Sequence, residues 1–146
     1  EVALIQKESN LPMDVISQFH SMKEYSVYKE AGLKPVIVNG RVALVQDIDL
    51  NYVSELPDGT KVTNLERMQS GFAPIEPATG KAYQLHHIGQ KADGTLAVLT
   101  EDQHLGNSTI LNIAGKASEI DRPGFGNTRK EFWKYAGTYV FGNGGV

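Results

Sequence analysis

Apolar residues near the start of the chain recur at steps of mostly three and four, the spacing that places side chains on one face of a helix. They are Met13, Val15, Ile16, Phe19 and Met22. Pro12 stands at a first helical position, which proline favours, and Gly32 ends the pattern. The spacing therefore predicts one amphipathic helix, or two short ones, between residues 10 and 32.

Two apolar stretches interrupted by turn residues predict β-hairpins. The first pairs residues 35–38 with residues 41–45 across Asn39-Gly40, a dipeptide favoured where both turn residues need positive φ. The second pairs residues 82–89 with residues 95–99 across the turn at 92–94. Between the hairpins, residues 62–68 fit either a short strand or a helical turn.

A helix is predicted directly after the second hairpin, because Thr100 and Gln103 have the spacing of a reciprocal N-terminal cap. A last helix is predicted over residues 127–139, where aromatic side chains form one face. The fold class is therefore α+β. Gly and Pro residues, which favour turns, predict a boundary near residue 56. The boundary divides the chain into an N-terminal helical and hairpin region, 1–56, and a second region, 57–146.

Length and composition indicate a single globular domain. The chain has 146 residues and a mass of 16.0 kDa, with 40% hydrophobic and 21% charged residues. No stretch approaches the roughly 18 uninterrupted apolar residues of a membrane-spanning helix. The sequence begins at Glu1 without a signal-peptide pattern, which predicts a piece of a longer protein.

The net charge of −3 is unusual for a nucleic-acid-binding protein, which is more commonly basic. However, the acidic excess is confined to residues 1–60, which carry nine acidic and five basic side chains. The remainder of the chain is close to neutral. Cysteine is absent, so any metal ion would be bound by His, Asp, Glu or Asn.

Three of the four histidines fall within nineteen residues, on the predicted strand–strand–helix unit. Adjacent strand residues point to opposite faces, so His86 and His87 reach one site only where the strand ends or is distorted. The hairpin returns the chain, and His104 on the following helix can face the end of the first strand. Imidazoles converging from different elements favour a metal site. The alternative is three histidines with no common site.

The motif Leu85-His86-His87, the strand at residues 94–100 and His104 together resemble the LHH subgroup of the HNH (His-Me finger) nuclease superfamily. Flanking segments at 67–74, 118–122 and 132–134 are similar to toxin domains at the C-termini of bacterial polymorphic toxins. The resemblance covers residues 64–136, about half of the chain. It implies that residues 57–146 form a ββα-metal nuclease core with a C-terminal helix, and that residues 1–56 are an accessory region.

The resemblance also implies roles for individual residues. His86 is expected to bind one divalent cation (Mg²⁺, Zn²⁺, Mn²⁺ or Ni²⁺), and His104 takes the place of the ligand on the helix. His87 is expected to be the general base that deprotonates the attacking water. Arg67 is expected to contact a phosphate.

Asn112 departs from the pattern, since many members of this subgroup have a further His in the context Ile110-Leu111-Asn112. Asn112 is therefore a third metal ligand, a bystander, or a substitution that silences the nuclease.

The most basic local cluster is expected either to line a nucleic-acid groove or to form a solvated helix face. It comprises Arg122, Arg129, Lys130 and Lys134.

The function expected from this resemblance is that of a metal-dependent endonuclease toxin that hydrolyses DNA. The chain would be secreted as part of a larger protein, act in the cytoplasm of a target bacterium, and bind a cognate immunity protein. The alternatives are an RNase of the same fold and a catalytically weakened relative that binds nucleic acid or a partner. In a third alternative the histidines are structural, and residues 1–60 form a delivery or receptor-binding segment.

Overall fold

The structure is a computed structural model that describes residues 2–91, 93–112 and 122–142, the side chains of 122–124 excepted. Its helices are α1 (Val2–Ser9), α2 (Met13–Ile16), α3 (Met22–Glu30), α4 (Asn64–Gln69), α5 (Glu101–Leu105), α6 (Ser108–Leu111) and α7 (Arg122–Tyr135). Its strands are β1 (Lys34–Val38), β2 (Arg41–Val45), β3 (Val53–Glu55), β4 (Lys61–Thr63), β5 (Ile75–Glu76), β6 (Lys81–Ala82), β7 (Gln84–His87) and β8 (Leu96–Leu99). The predicted α+β class is confirmed.

One sheet joins the two halves of the chain. Its strand order is β1-β2-β8-β7, with antiparallel pairs at both ends and a parallel pair, β2 with β8, at the centre. In the parallel pair Leu44 lies opposite Ala97. The boundary predicted at residue 56 therefore separates two segments that share a sheet, and β7 is an edge strand.

Each face of this sheet carries its own hydrophobic core. The first core packs α1, α2, α3 and α6 against one face, through Leu44, Ala97 and Leu99. The second core packs α4 and α7 against the other face, through Val45, Val98 and Leu85. Because side chains alternate along a strand, consecutive residues of β7 face opposite sides of the sheet, with Leu85 in the second core.

The first predicted hairpin is confirmed, with Asn39 at φ 52° and Gly40 at φ 78° between β1 and β2. The predicted N-terminal helix is present as two short ones, α2 and α3. The break lies before Ser21, whose hydroxyl accepts a hydrogen bond from the backbone N–H of Glu24 and so begins a new helix. Helix α1, which the apolar spacing does not reveal, precedes them.

The ambiguous segment 62–68 contains both predicted structures, because Thr63 and Glu66 cap each other where β4 ends and α4 begins. The helix predicted over 127–139 begins earlier, at Arg122, and continues past Tyr135 as a π-helical turn, Ala136–Val140. Among the described residues, no helix has both the length and the apolar character needed to cross a membrane.

Candidate active site

The predicted strand–strand–helix unit is formed by β7, β8 and α5. Strand β7 ends at His87, where the chain enters a 3₁₀ turn, Ile88–Gln90, with Gly89 at φ 76°. The loop to β8 is tight at Gly94, where a Cβ atom would collide with the carbonyl oxygen of Ile88. The capping box of Thr100 and Gln103 then starts α5, as the sequence predicts.

His86 lies in the interior, opposite Ala97 in the sheet and only 4% exposed. Its ring packs beside Tyr28 of α3, with 6.4 Å between the ring centroids. Its Nε2 atom is buried and has no hydrogen-bond partner among the described residues. Burial, reinforced by repulsion from His104, lowers the His86 pKa to about 3, so the ring is neutral at pH 7.

His104 is brought to His86 by α5. The two ring centroids are 5.0 Å apart, with the planes inclined at 57°. The Nδ1 atom of His104 lies 2.6 Å from Oε1 of Gln84, an oxygen that can only accept a hydrogen bond. Burial lowers the pKa of His104. The sequence-based expectation that these two histidines converge is therefore met.

The pair fits a divalent metal ion. Two imidazoles bound to one ion at about 2.0–2.1 Å have ring centroids roughly 4.5–5.2 Å apart at inter-ligand angles of about 90–110°. The 5.0 Å between His86 and His104 falls in that range. Both rings are kept neutral, as metal binding requires, and Nε2 of His86 has no partner in the part of the chain that the structure describes.

No set of three or more His, Cys, Asp or Glu side chains that could hold a metal ion occurs in the described part of the chain. Two imidazoles would leave the other coordination positions to water or phosphate oxygens. Asn112 is exposed at the C-terminal end of α6, and its backbone N–H is bonded to the Ser108 carbonyl. Nothing in these contacts shows its side chain directed at His86 or His104.

His87 lies on the opposite face of β7, half-buried against α7. Its ring meets the edge of Phe125 at a centroid distance of 4.5 Å. Burial, followed by the positive charge of Arg41, lowers the His87 pKa, so this ring is also neutral at pH 7. The alternation expected along the strand is therefore present, and His86 and His87 flank one edge of the sheet at the point where β7 ends.

A groove of about 1020 Å³ runs along that edge. His104 and Gln84 line one side of it, and Phe125, Arg129 and Lys130 line the other. His86 and His87 are not among the groove residues, but each contacts one: His86 contacts His104, and His87 contacts Phe125. Basic side chains beside the groove provide the positive charge that a phosphate backbone needs.

The four predicted nucleic-acid contacts have different positions. Arg129 and Lys130 are exposed and line the groove. Lys134 is half-buried on the last turn of α7 and is not among the groove residues. The side chain of Arg122 and the flanking segment 118–121 lie outside the described residues.

Arg67 lines the same groove but is largely committed to the fold. It is 9% exposed, its Nε donates to the Ala73 carbonyl at 2.9 Å, and its Nη1 donates to the Glu55 carbonyl at 3.2 Å. Its guanidinium also lies over Phe72, 5.7 Å from the ring centroid. Arg67 therefore holds the groove wall together, and a phosphate would meet only the remaining donors.

Two groups near the site are not found by sequence reasoning. Gln84 touches His104, and Glu24 is fully buried beneath the site. The Glu24 carboxyl group accepts hydrogen bonds from the Tyr28 hydroxyl at 2.5 Å and from the His20 backbone N–H at 2.7 Å, and it lies 2.8 Å from His20 Nδ1. Burial raises the pKa of Glu24. In the sequence, Gln84 is marked only by its position two residues before His86. Glu24 is marked only by its position four residues after His20 and four residues before Tyr28.

Comparison with known proteins identifies the class. The chain belongs to the LHH family, described as a nuclease of the HNH/ENDO VII superfamily with conserved LHH, whose model matches residues 63–137. Comparisons with curated proteins and with solved structures gave no match. The protein is thus an HNH-type endonuclease, an enzyme that hydrolyses phosphodiester bonds, as the resemblance implies.

Proposed function

We propose that the protein is a metal-dependent DNase in which His86 and His104 hold one divalent cation. The observation that carries this proposal is a pair of neutral imidazoles 5.0 Å apart, of which His104 lines the groove and His86 has a buried nitrogen with no partner among the described residues. A buried polar atom without a partner is energetically costly, and a bound cation would satisfy it.

His87 acts as the general base in this proposal. The lowered pKa keeps its ring unprotonated at pH 7, and contact with Phe125 restricts its orientation. The unprotonated nitrogen of its neutral ring takes a proton from the water that attacks phosphorus, while the bond from phosphorus to the leaving 3′ oxygen breaks. The cation, when bound, supplies positive charge that stabilises the phosphate and the leaving oxygen.

The groove positions the substrate. Arg129 and Lys130 attract the phosphate backbone, and the donors of Arg67 left free by the fold bind a phosphate beside them. A strand lying along the edge of β7 then passes His104 on one face and Phe125 with His87 on the other. This arrangement lets residues on opposite faces of the sheet act on one phosphodiester group.

The biological setting is proposed from the resemblance to C-terminal toxin domains. In this proposal the chain is part of a larger secreted protein and degrades DNA in the cytoplasm of a competing bacterium. A cognate immunity protein would block the groove, and an inhibitor with an acidic surface would complement Arg129 and Lys130. The presence of basic side chains at the groove, in a chain of net charge −3, supports that mode of inhibition.

The test is cleavage of plasmid DNA by the purified chain with Mg²⁺, Mn²⁺, Zn²⁺ or Ni²⁺. His87→Ala and His104→Ala should each lose cleavage, whereas Asp102→Ala, a change at an exposed position of α5, should retain it. Cleavage of RNA but not of DNA would show that the enzyme is an RNase. Cleavage that persists in His87→Ala would overturn the proposed base.

A further inference from the structure

Gln84 is placed by strand geometry to act on the site. It lies two residues before His86 on β7, so both side chains project from the same face of the sheet. Helix α5 packs over this face and brings His104 against it. The half-buried side chain of Gln84 therefore lies on the same face as His86 and contacts His104, the predicted metal ligand on the helix.

The hydrogen bond from His104 to Gln84 determines which nitrogen of His104 is free. Oε1 of Gln84 is an amide oxygen with lone pairs only, so Nδ1 of His104 must carry the hydrogen across the 2.6 Å contact. In a neutral imidazole the lone pair available to a metal is then on Nε2. An imidazole without such a partner favours the opposite tautomer, with the hydrogen on Nε2.

The Nδ1–H tautomer of His104 matters for metal binding because of the position of His86. Nε2 of His86 is buried and meets no hydrogen-bond partner within residues 2–91, 93–112 and 122–142, and the His104 ring is centred 5.0 Å from the His86 ring. An N–H on Nε2 of His104 could not bind an ion shared with His86. The proton must therefore be kept on the other nitrogen, and Gln84 is the group whose described contact does so.

We propose that Gln84 is a positioning residue that holds His104 in the Nδ1–H tautomer and so keeps Nε2 available as a metal ligand. This inference rests on the proposed function of His86 and His104. It extends the site by one groove residue that acts through His104 and does not itself bind the cation. Partners of this kind typically change metal affinity by about 10- to 100-fold.

The experiment compares Gln84→Met, which removes the acceptor at similar volume, with Gln84→Glu, which keeps one. Gln6→Met is the matched control, since Gln6 is exposed on α1. The His104 tautomer is read from long-range ¹H–¹⁵N NMR spectra of the metal-free protein, and Zn²⁺ and Mn²⁺ affinities are read by calorimetry. Neither readout requires nuclease activity.

We expect the Nδ1–H tautomer in the parent, Gln84→Glu and Gln6→Met, and a shift towards the Nε2–H tautomer in Gln84→Met. We also expect metal affinity to fall by about 10- to 100-fold in Gln84→Met alone. An unchanged tautomer in Gln84→Met, or equal metal affinity in Gln84→Met and the parent, overturns the inference. Failure of the proposed function is distinguishable, because the parent itself would then bind no metal at His104.

Discussion

The rings of His86 and His104 are centred 5.0 Å apart, yet they meet different environments. His86 is buried among core side chains and touches Tyr28, whereas His104 lines the open groove. A cation bound by both rings would be held by His86 on the side of the protein interior. Substrate would approach the cation from the groove, on the side of His104. Such a division leaves open positions where a phosphate oxygen can bind.

The buried position of His86 predicts an acid-sensitive fold when metal is absent. Its pKa is about 3 in the folded protein and near 6.5 in an unfolded chain, so the unfolded state binds more protons between these values. Stability should be fully present above pH 6.5 and should fall as the pH drops towards 3, by up to about 1.4 kcal/mol per pH unit for this group. Urea denaturation in EDTA at several pH values measures this slope.

The variant His86→Leu should flatten that dependence. Leucine removes both the titrating ring and its buried Nε2 atom, for which the described residues offer no partner, so the metal-free variant should lose less stability in acid than the parent. Its Zn²⁺ binding should be lost in the same preparation. An identical slope in parent and variant would show that the acid sensitivity arises elsewhere.

The charge of Arg41 should set the pH range of catalysis. Arg41 lowers the His87 pKa in addition to burial, so its removal should raise that pKa and move the acidic midpoint of the kcat/KM profile to higher pH. Arg41→Gln should therefore lose several-fold more activity at pH 5.5 than at pH 8, relative to the parent. Arg41→Lys, which keeps the charge, is the matched control. A midpoint that shifts equally in both variants would exclude a role for the charge.

Binding of DNA along the groove should depend on Arg129 and Lys130. Replacing both with Ser should weaken binding of a short duplex in EDTA, and the slope of log K against log salt should fall by about 1 for each phosphate that the variant no longer neutralises. Lys7→Ser, an exposed change on α1, serves as control. Fluorescence anisotropy across a salt series measures both quantities. Equal slopes in all proteins would place the DNA elsewhere.

Local sequence signals predict local structure well in this chain. Asn39-Gly40 predicts its hairpin, and the spacing of Thr100 and Gln103 predicts the start of α5, because these features depend on a few neighbouring residues. The parallel pairing of β2 with β8 has no such signal, since it joins segments far apart in the sequence.

Some residues of the candidate site can likewise be predicted from the sequence, and others cannot. The histidines are visible in the sequence because residue type and hairpin return suffice to bring His86 and His104 together. The polar partners are not visible, because Gln84 and Glu24 resemble ordinary surface residues until packing buries them. The contact between His20 and Glu24 is likewise not visible in the sequence.

Asn112 should contribute little to metal affinity. It is exposed at the end of a four-residue helix, and its described hydrogen bond is made by the backbone. We expect Asn112→Ala to change Zn²⁺ affinity by less than about threefold, while His104→Ala lowers it by at least about 100-fold. Calorimetry provides the comparison. A large loss in Asn112→Ala would make Asn112 a ligand, and gain of cleavage in Asn112→His would identify it as a silencing substitution.

The N-terminal region should be required for folding of the nuclease core. Residues 1–56 supply β1 and β2 of the shared sheet, and their helices cover Ile88, Ala97 and Leu99 beside the site. A chain of residues 57–146 would expose this face and the edge of β8, which leaves too little buried apolar surface for a stable domain.

We therefore expect the 57–146 fragment to lack a cooperative thermal transition and a dispersed ¹H–¹⁵N NMR spectrum. Deletion of residues 2–9, which removes α1 and the one buried side chain of Ile5, is the milder control. It should fold with a loss of about 1.5–3 kcal/mol, the value of one large buried aliphatic side chain. If the 57–146 fragment instead folds and cleaves DNA, residues 1–56 form a separate accessory unit, and Tyr28 has no part in supporting His86.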